Sequence, residues 1–491
     1  MSSSRARRHL RSVYKLVLRN LFPITAFPIA AASTAAVVFV AASFGPPYEI
    51  VRALKPAHLF LARFLPAAAI VYYFLWQWRT RQVYLVDYAC FRGSHQNRIP
   101  SATFLEHMRQ IPSLSERSVR FLIRLLHSSG LGEETCFPPA AAYLFFHEEC
   151  TLEASREEAE DVMFSAIDDL FAKTGTAPES IDILVSNCSS FTPTPSFPDM
   201  IINRYKMRSN IRALHLSGMG CSAGLVAVEL ARNLLLASAA PGRRALVVST
   251  ETLTPNYYFG NERAMLLPYC LFRMGGAAVL LSTSPANARF RLGHAVRTLT
   301  AADDRSYRCI FQEEDGTGNK GANLSKDLPR VAARTLKANI TAIAPLVLPA
   351  SEKILFALSF VSGKLFNGGG TVRVKLRVPD MKAAFEHFCI HAGGRAVIDE
   401  VQRSLGLSDV DAEPSRMTLH RFGNTSSSST WYELAYVEAK DRMRVGDRVW
   451  MIGFGSGFKC TSVVLHCIAA PDCKINNGPW AKCIQRYPVR I

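Results

Sequence analysis

Twelve cysteines are scattered through this chain, yet no two of them stand in a C-x-x-C pair. That removes the usual spacing of a structural zinc site and the dense pairing of a small disulfide framework, and a reducing compartment is the setting expected for most of the chain. Acidic residues are scarce beside basic ones, 40 against 57, which leaves a formal net charge of +17. Such an excess suits an anionic partner: nucleic acid, a membrane surface or an anionic substrate. Nucleic acid has no support, because the arginines do not alternate with aromatics and neither a zinc-finger nor an RNP-like pattern occurs. Charge of either sign is missing from Leu21 to Phe44, a run longer than the ~20 apolar residues that cross a bilayer.

With 491 residues, 49% of them hydrophobic, the chain is long enough for two cores or one large duplicated core, with apolar sequence left over for lipid. The basic segment Arg5-Ala6-Arg7-Arg8, with Arg11, Lys15 and Arg19, precedes the first uncharged run, and Gly45-Pro46-Pro47 ends it. A second run spans Leu59 to Trp78 and is followed at once by Arg79 and Arg81. Basic flanks on both sides predict a hairpin of two transmembrane helices over residues 1–80, with the remainder cytosolic. A cleaved signal peptide competes for the first run, and the second run argues against it. Sequons at Asn323 and Asn339 are then expected to be unmodified.

Beyond the anchor, apolar runs short enough for buried strands alternate with helical patterns, which signals an α/β core whose sheet is covered on both faces. Glu153 to Thr174 reads as a helix, Ile181 to Val185, Ala245 to Ser249 and Ala277 to Leu281 as strands, and Arg305 to Gly321 as a surface connection. Later, Leu328 to Leu348 and Ala396 to Leu405 read as helices, Phe388 to Ile390 and Trp450 to Phe454 as strands. His420 to Asn424 reads as a loop, and Ser427 to Lys440 as a helix whose start is rich in capping residues. Both parts of the chain thus repeat strand, glycine turn and helix, which suggests an internal duplication.

The most informative stretch is Ser217-Gly218-Met219-Gly220-Cys221-Ser222-Ala223-Gly224. The strand-like run Ala213 to Leu216 breaks into glycines and reopens as a helix whose apolar face is Leu225, Val228, Leu230, Ala231, Leu234 and Leu235. A thiol at that break meets unpaired amides and the positive end of a helix dipole, which favour its thiolate. Glycines on either side permit a sharp turn and close approach of a substrate. A buried cysteine packed as a small hydrophobe is the alternative. Cys188 also ends a strand but lacks the glycine frame and the following helix, so it reads as wall. With His391 and Asn424 at later glycine-framed turns, Cys221 makes an acyl-transfer set: one nucleophile and two groups able to hydrogen-bond a carbonyl oxygen. On chemistry alone a cysteine hydrolase would offer the same.

Three motifs, Gly218-Met219-Gly220-Cys221-Ser222-Ala223-Gly224, His387-Phe388-Cys389-Ile390-His391-Ala392-Gly393-Gly394 and His420-Arg421-Phe422-Gly423-Asn424-Thr425-Ser426-Ser427-Ser428, resemble the plant 3-ketoacyl-CoA synthases of very-long-chain fatty acid elongation. Pro193-Thr194-Pro195-Ser196, Leu324-Ser325-Lys326-Asp327-Leu328, Pro345-Leu346-Val347-Leu348-Pro349 and Arg486-Tyr487-Pro488-Val489 extend the resemblance over nearly the whole chain. It implies an α/β fold, the duplicated thiolase-type αβαβα condensing fold behind the membrane hairpin, with residues 81–345 carrying Cys221 and residues 346–491 carrying His391 and Asn424. It further implies an acyltransferase that loads an acyl group from acyl-CoA onto Cys221, decarboxylates malonyl-CoA with His391 and Asn424 holding the enolate oxygen, and releases 3-oxoacyl-CoA.

By the same resemblance Gly453, Gly455 and Gly457 form an oxyanion or substrate loop, and His387, His420 and His294 are candidate supporting residues. No cofactor or metal is expected. The partners implied are acyl-CoA, malonyl-CoA, the lipid bilayer, a second copy of the chain and the ketoacyl reductase, dehydratase and enoyl reductase of an elongase. The place implied is the endoplasmic reticulum membrane, with a cytosolic catalytic domain serving wax, cutin, suberin or seed lipid synthesis. One departure stands out: Leu299 occupies a position where the family usually carries histidine. A catalytically weak modulator of active elongases therefore remains an alternative. So does a cysteine acyl hydrolase, or a thiolase, for which Cys460 is the one candidate second thiol.

Overall fold

The computed structural model describes residues 82–138, 150–238, 240–355, 380–469 and 478–490. The predicted spans Leu21 to Phe44 and Leu59 to Trp78 lie outside them. Residues 82–347 and 384–491 group into one body, to which everything below refers; Met1–Arg81 and Leu348–Ala383 group separately, and of these only 348–355 and 380–383 are described.

Nine strands form one mixed sheet in the order β3-β2-β4-β5-β1-β6-β11-β10-β9. They are β1 (Tyr84–Cys90), β2 (Ile183–Asn187), β3 (Arg212–Leu216), β4 (Arg244–Thr250), β5 (Gly276–Ser282), β6 (Phe290–Leu299), β9 (His387–Ile390), β10 (Arg448–Gly455) and β11 (Lys459–Cys467), while β7 (Ile310–Glu314) and β8 (Lys320–Leu324) form a separate hairpin. The pairing repeats. β1 lies antiparallel to β5, β5 antiparallel to β4 and β4 parallel to β2. In the same way β6 lies antiparallel to β11, β11 antiparallel to β10 and β10 parallel to β9. The two sets meet where β1 pairs with β6, Leu85 opposite Phe290.

Strands alternate their side chains between two faces, and here both faces are covered. Ile183, Val185, Val247, Val279, Met451 and Val463 point into a core shared with the helices Ala223–Ala237 and Ser429–Ala439. Leu184, Leu246, Val248, Ala278 and Leu280 point the other way, onto the helix Leu152–Thr174. That is why β2 and β5 are buried along their whole length and read as continuous apolar runs. Each fully buried side chain of this kind contributes roughly 1.5–3 kcal/mol. Each central helix is entered through a 3-10 turn, Gly220–Ser222 for the first and Ser426–Ser428 for the second.

Three readings change. Arg305 to Gly321 is not merely a surface connection, since it holds the short helix Asp304–Tyr307 and β7. His420 is helical rather than in a loop, because a Ser408 capping box starts a helix that runs from Asp409 to Phe422 before Gly423 ends it. The N-cap serine, Ser428, does not cap the helix Ser429–Ala439 through its side chain; its hydroxyl donates to Thr425 O and that of Ser426 to Glu251. Among the described residues one helical stretch, Gly220–Ala237, is long and apolar enough to cross a membrane, and it is the first of these core helices.

Candidate active site

A cavity of about 800 Å³ is lined by Cys221, His391 and Asn424 together, side chains separated by up to 203 positions in the chain. Cys221 arrives on the turn between β3 and the helix Ala223–Ala237. Gly220 has φ +68, and a Cβ there would collide with the Ser456 amide nitrogen; a Cβ on Gly224 would collide with the Ser427 carbonyl. The glycine frame is thus required by two loops that close on the turn from the other set of strands.

His391 follows β9 directly, and its amide donates to Ile452 O at 2.9 Å. Its Nδ1 lies 3.1 Å from Ser429 Oγ, and the side chain is buried. Asn424 is held at both ends: its amide donates to Leu271 O at 3.1 Å and its carbonyl accepts from the Arg273 amide at 2.9 Å. Its Oδ1 accepts the Ser426 amide at 2.9 Å and its Nδ2 donates to Gly393 O at 3.2 Å. One Nδ2 proton remains for the cavity.

The helix-terminus argument predicts an ionised Cys221; in the structure burial outweighs it. Desolvation pushes the thiol up to about 12, and the nearby Glu251 carboxylate adds to this, while the Ser426 hydroxyl and the residue's own amide oppose it. Burial likewise lowers His391 to about 4. Burial thus works against a thiolate at Cys221 and against an imidazolium at His391 before substrate enters.

Sequence reasoning passed over Glu251 and Ser426. Glu251 is buried and lines the cavity. One of its oxygens accepts the Ser189 and Ser190 amides at 3.0 and 2.8 Å, and the other accepts the Ser426 hydroxyl at 2.8 Å. Ser426 takes φ +53, a left-handed conformation that is costly for a residue with a Cβ. Neither feature has a signal in the sequence beyond a carboxylate at a strand end.

The remaining candidates divide. Gly457 lines the cavity, whereas Gly453 and Gly455 serve close packing, since a Cβ at either would press on Ser222. His387 Nε2 bonds Asp447 Oδ2 at 2.9 Å, and His420 Nδ1 lies 3.3 Å from the Tyr487 hydroxyl. His294 is exposed on β6. None of these three histidines lines the cavity. Cys188 is fully buried with its sulfur 3.5 Å from Glu251 Oε1, and Cys460 is fully buried in β11; neither lines the cavity. Leu299 is 56% exposed and also lies outside the lining. Phe137, Leu253, Tyr257, Met265, Tyr269 and Phe311 give the cavity an apolar wall.

Comparison with known proteins agrees with this architecture. The family model "FAE1/Type III polyketide synthase-like protein" matches residues 75–365, and that of the 3-oxoacyl-[acyl-carrier-protein] synthase III C-terminal region matches residues 381–467. The chain is 50% identical to 3-ketoacyl-CoA synthase 5 of Arabidopsis thaliana over 501 aligned residues, covering 100% of this chain and 98% of that one. It is 56% identical to 3-ketoacyl-CoA synthase 6 of the same plant over 419 residues, 84% of this chain and 82% of the relative. Among solved structures, tetrahydroxynaphthalene synthase from Streptomyces coelicolor, a bacterial type III polyketide synthase, superposes with a TM-score of 0.62 at 19% identity, covering 79% of this chain and 100% of its own. PKS-I from the brown alga Ectocarpus siliculosus gives 0.60 at 18% identity, with 79% and 99% covered. These two likenesses establish a thiolase-like α/β fold.

Proposed function

We propose that this chain, which belongs to the 3-ketoacyl-CoA synthase family, extends a long acyl chain by two carbons through a thioester on Cys221. It is an acyl-condensing enzyme of very-long-chain fatty acid elongation. The observation that carries the reading is the convergence of Cys221, His391 and Asn424 on one apolar-walled cavity.

In the first step the Cys221 sulfur attacks the thioester carbonyl of acyl-CoA, and the bond to the CoA sulfur breaks. Malonyl-CoA then loses carbon dioxide, and negative charge moves onto its thioester oxygen, where His391 and Asn424 supply hydrogen bonds. The carbanion attacks the acyl-Cys221 carbonyl, whose oxyanion is met by the Cys221 amide and a backbone donor of the Gly453 to Gly457 loop. As the new carbon–carbon bond forms and the oxyanion collapses, the bond from that carbon to the Cys221 sulfur breaks, which frees the thiol and releases 3-oxoacyl-CoA. Charge develops on a thioester oxygen more than once, and preorganised donors in a water-poor cavity stabilise it far better than solvent does. Every step uses this chain's own groups and the two CoA substrates, with no cofactor.

Anchoring in the endoplasmic reticulum membrane through residues 1–80 belongs to the same proposal, on the strength of two uncharged runs with basic flanks. For topology, Asn323 is the usable sequon: Asn339 is fully buried and its amide donates to Val296 O and Cys460 O, both at 3.1 Å. A second copy of the chain is the partner proposed for the edge strand β3, where Leu214 is 41% exposed. Reductase, dehydratase and second reductase subunits complete the cycle proposed. The test is an assay of microsomes with labelled malonyl-CoA and a ladder of acyl-CoAs. Cys221→Ala is expected to abolish 3-oxoacyl-CoA formation without loss of the protein, and normal product from that variant would overturn the proposal.

A further inference from the structure

We infer that Ser429 holds His391 in the tautomer with its proton on Nδ1, so that the Nε2 left for the cavity is a proton acceptor in the resting enzyme. The argument starts from the hydroxyl. A serine hydroxyl has one proton to give, and Ser429 gives it to the Ser426 carbonyl at 2.7 Å. Toward His391 Nδ1, at 3.1 Å, that oxygen can then only accept. The Thr425 hydroxyl also approaches the same oxygen as a donor, at 3.5 Å.

The far end of the relay is fixed. Ser426 has φ +53, its amide donates to Asn424 Oδ1 at 2.9 Å and its hydroxyl to Glu251 Oε2 at 2.8 Å. Its carbonyl therefore cannot swing away from Ser429 without releasing Asn424 and Glu251 as well. Among the described residues His391 Nε2 has no hydrogen-bond partner, and Gly393, with no Cβ, leaves the space beside it open. The lowered basicity of the buried imidazole keeps it neutral at rest, so the tautomer decides what it can do.

The consequence is an order of events, and it rests on the reading of the site given above. A resting Nε2 cannot donate to the malonyl thioester oxygen. It first takes the Cys221 proton as the sulfur attacks acyl-CoA and CoA leaves as its thiolate, to be protonated by water. The imidazolium so formed, whose charge the entering malonyl-CoA carboxylate offsets, is then the donor that holds the malonyl enolate oxygen while the carbon–carboxylate bond breaks. When the carbanion attacks and the Cys221 thiolate departs, the proton returns to sulfur. Decarboxylation thereby waits for loading, and malonyl-CoA is not consumed without product. Ser429 is a positioning residue in this scheme, acting through His391.

The test separates the two half-reactions in the full chain in microsomes. Ser429→Ala frees the imidazole to carry its proton on Nε2. Labelled acyl transfer to Cys221 is expected to slow at least tenfold, while decarboxylation of malonyl-CoA without acyl-CoA rises above the wild-type level. Ser429→Thr, which retains the hydroxyl, is expected to restore both. A role in packing alone would lower both half-reactions together, and that result, or loading at the wild-type rate in Ser429→Ala, would overturn the inference. If Ser429→Ala does not fold, Ser429→Cys, whose sulfur accepts weakly, carries the same two expectations. Failure of the underlying reading is distinguishable, because the wild-type chain would then form no acyl-Cys221 at all.

Discussion

Ser426 donates its hydroxyl proton to Glu251 at 2.8 Å, from the turn beside Asn424 to the end of β4 on the side of Cys221. One carboxylate thus ties the turn beside Asn424 to Ser189 and Ser190, and the Ser189 hydroxyl in turn accepts the Gly220 amide next to Cys221 at 2.9 Å. The same charge raises the Cys221 thiol. Glu251→Gln keeps an acceptor for the Ser189 and Ser190 amides and removes the charge. Alkylation of Cys221 by iodoacetamide at fixed pH is expected to speed up about three- to tenfold, the effect of one like charge nearby. Slower or unchanged labelling would mean that Glu251 acts on the site by hydrogen bonding alone.

Gly224→Ala puts a methyl group against the Ser427 carbonyl, which is backbone and cannot rotate aside. The strain expected is about 1–3 kcal/mol, seen as a lower melting temperature, and the displaced turn should cut acyl loading by about 10²-fold. A variant with wild-type melting and wild-type loading would show that the two 3-10 turns have slack between them.

The pH dependence of stability should carry a signature of Glu158. This buried carboxylate accepts the Leu253 and Thr254 amides, both at 2.8 Å, yet burial raises it from 4.5 to about 7. The folded state therefore holds the proton more tightly than the unfolded one, and the stability this confers is complete below about 4.5 and lost as pH rises through about 7. Melting temperature measured from about pH 5 to pH 8 is expected to fall more steeply in wild type than in Glu158→Gln. Parallel curves would contradict it.

Leu299→His introduces the residue that the family resemblance implies at this position. Because Leu299 is exposed and lies outside the cavity lining, kcat/KM for acyl-CoA is expected to change less than about threefold, the range of a surface substitution. A gain of tenfold or more would place that side chain on the substrate and revive the reading of a weakened enzyme.

Much of this was legible in the residues. Glycines around Cys221, the strand ending at Ile390 before His391, and the 3.6-residue spacing of Leu225, Val228, Ala231 and Leu235 each have a local physical cause, and the observed elements fall within a few residues of the expected ones. The protonation state of Cys221 was not legible, because local helix electrostatics can be read from sequence whereas the desolvation that dominates comes from distant walls. Glu251, Ser426 and Ser429 were missed for a related reason. Their roles depend on contacts of Ser426 with Glu251 and of Ser429 with His391 that sequence spacing does not encode. The β7–β8 hairpin was hidden by its charge: Glu313, Glu314 and Lys320 suggest a solvated loop, although Ile310, Phe311 and Leu324 line the cavity.

The most direct test is single-turnover trapping of labelled acyl group on Asn424→Ala, with and without malonyl-CoA. Asn424 holds its amide toward the cavity where the enolate oxygen is expected, and loading needs Cys221, the His391 base and backbone donors rather than Asn424. Acyl-Cys221 is therefore expected to form, while decarboxylation and condensation fall together by ~10²–10³, the usual effect of losing one donor at a developing oxyanion. Condensation at the wild-type rate, or failed loading with decarboxylation intact, would contradict the division of labour between Cys221 and Asn424.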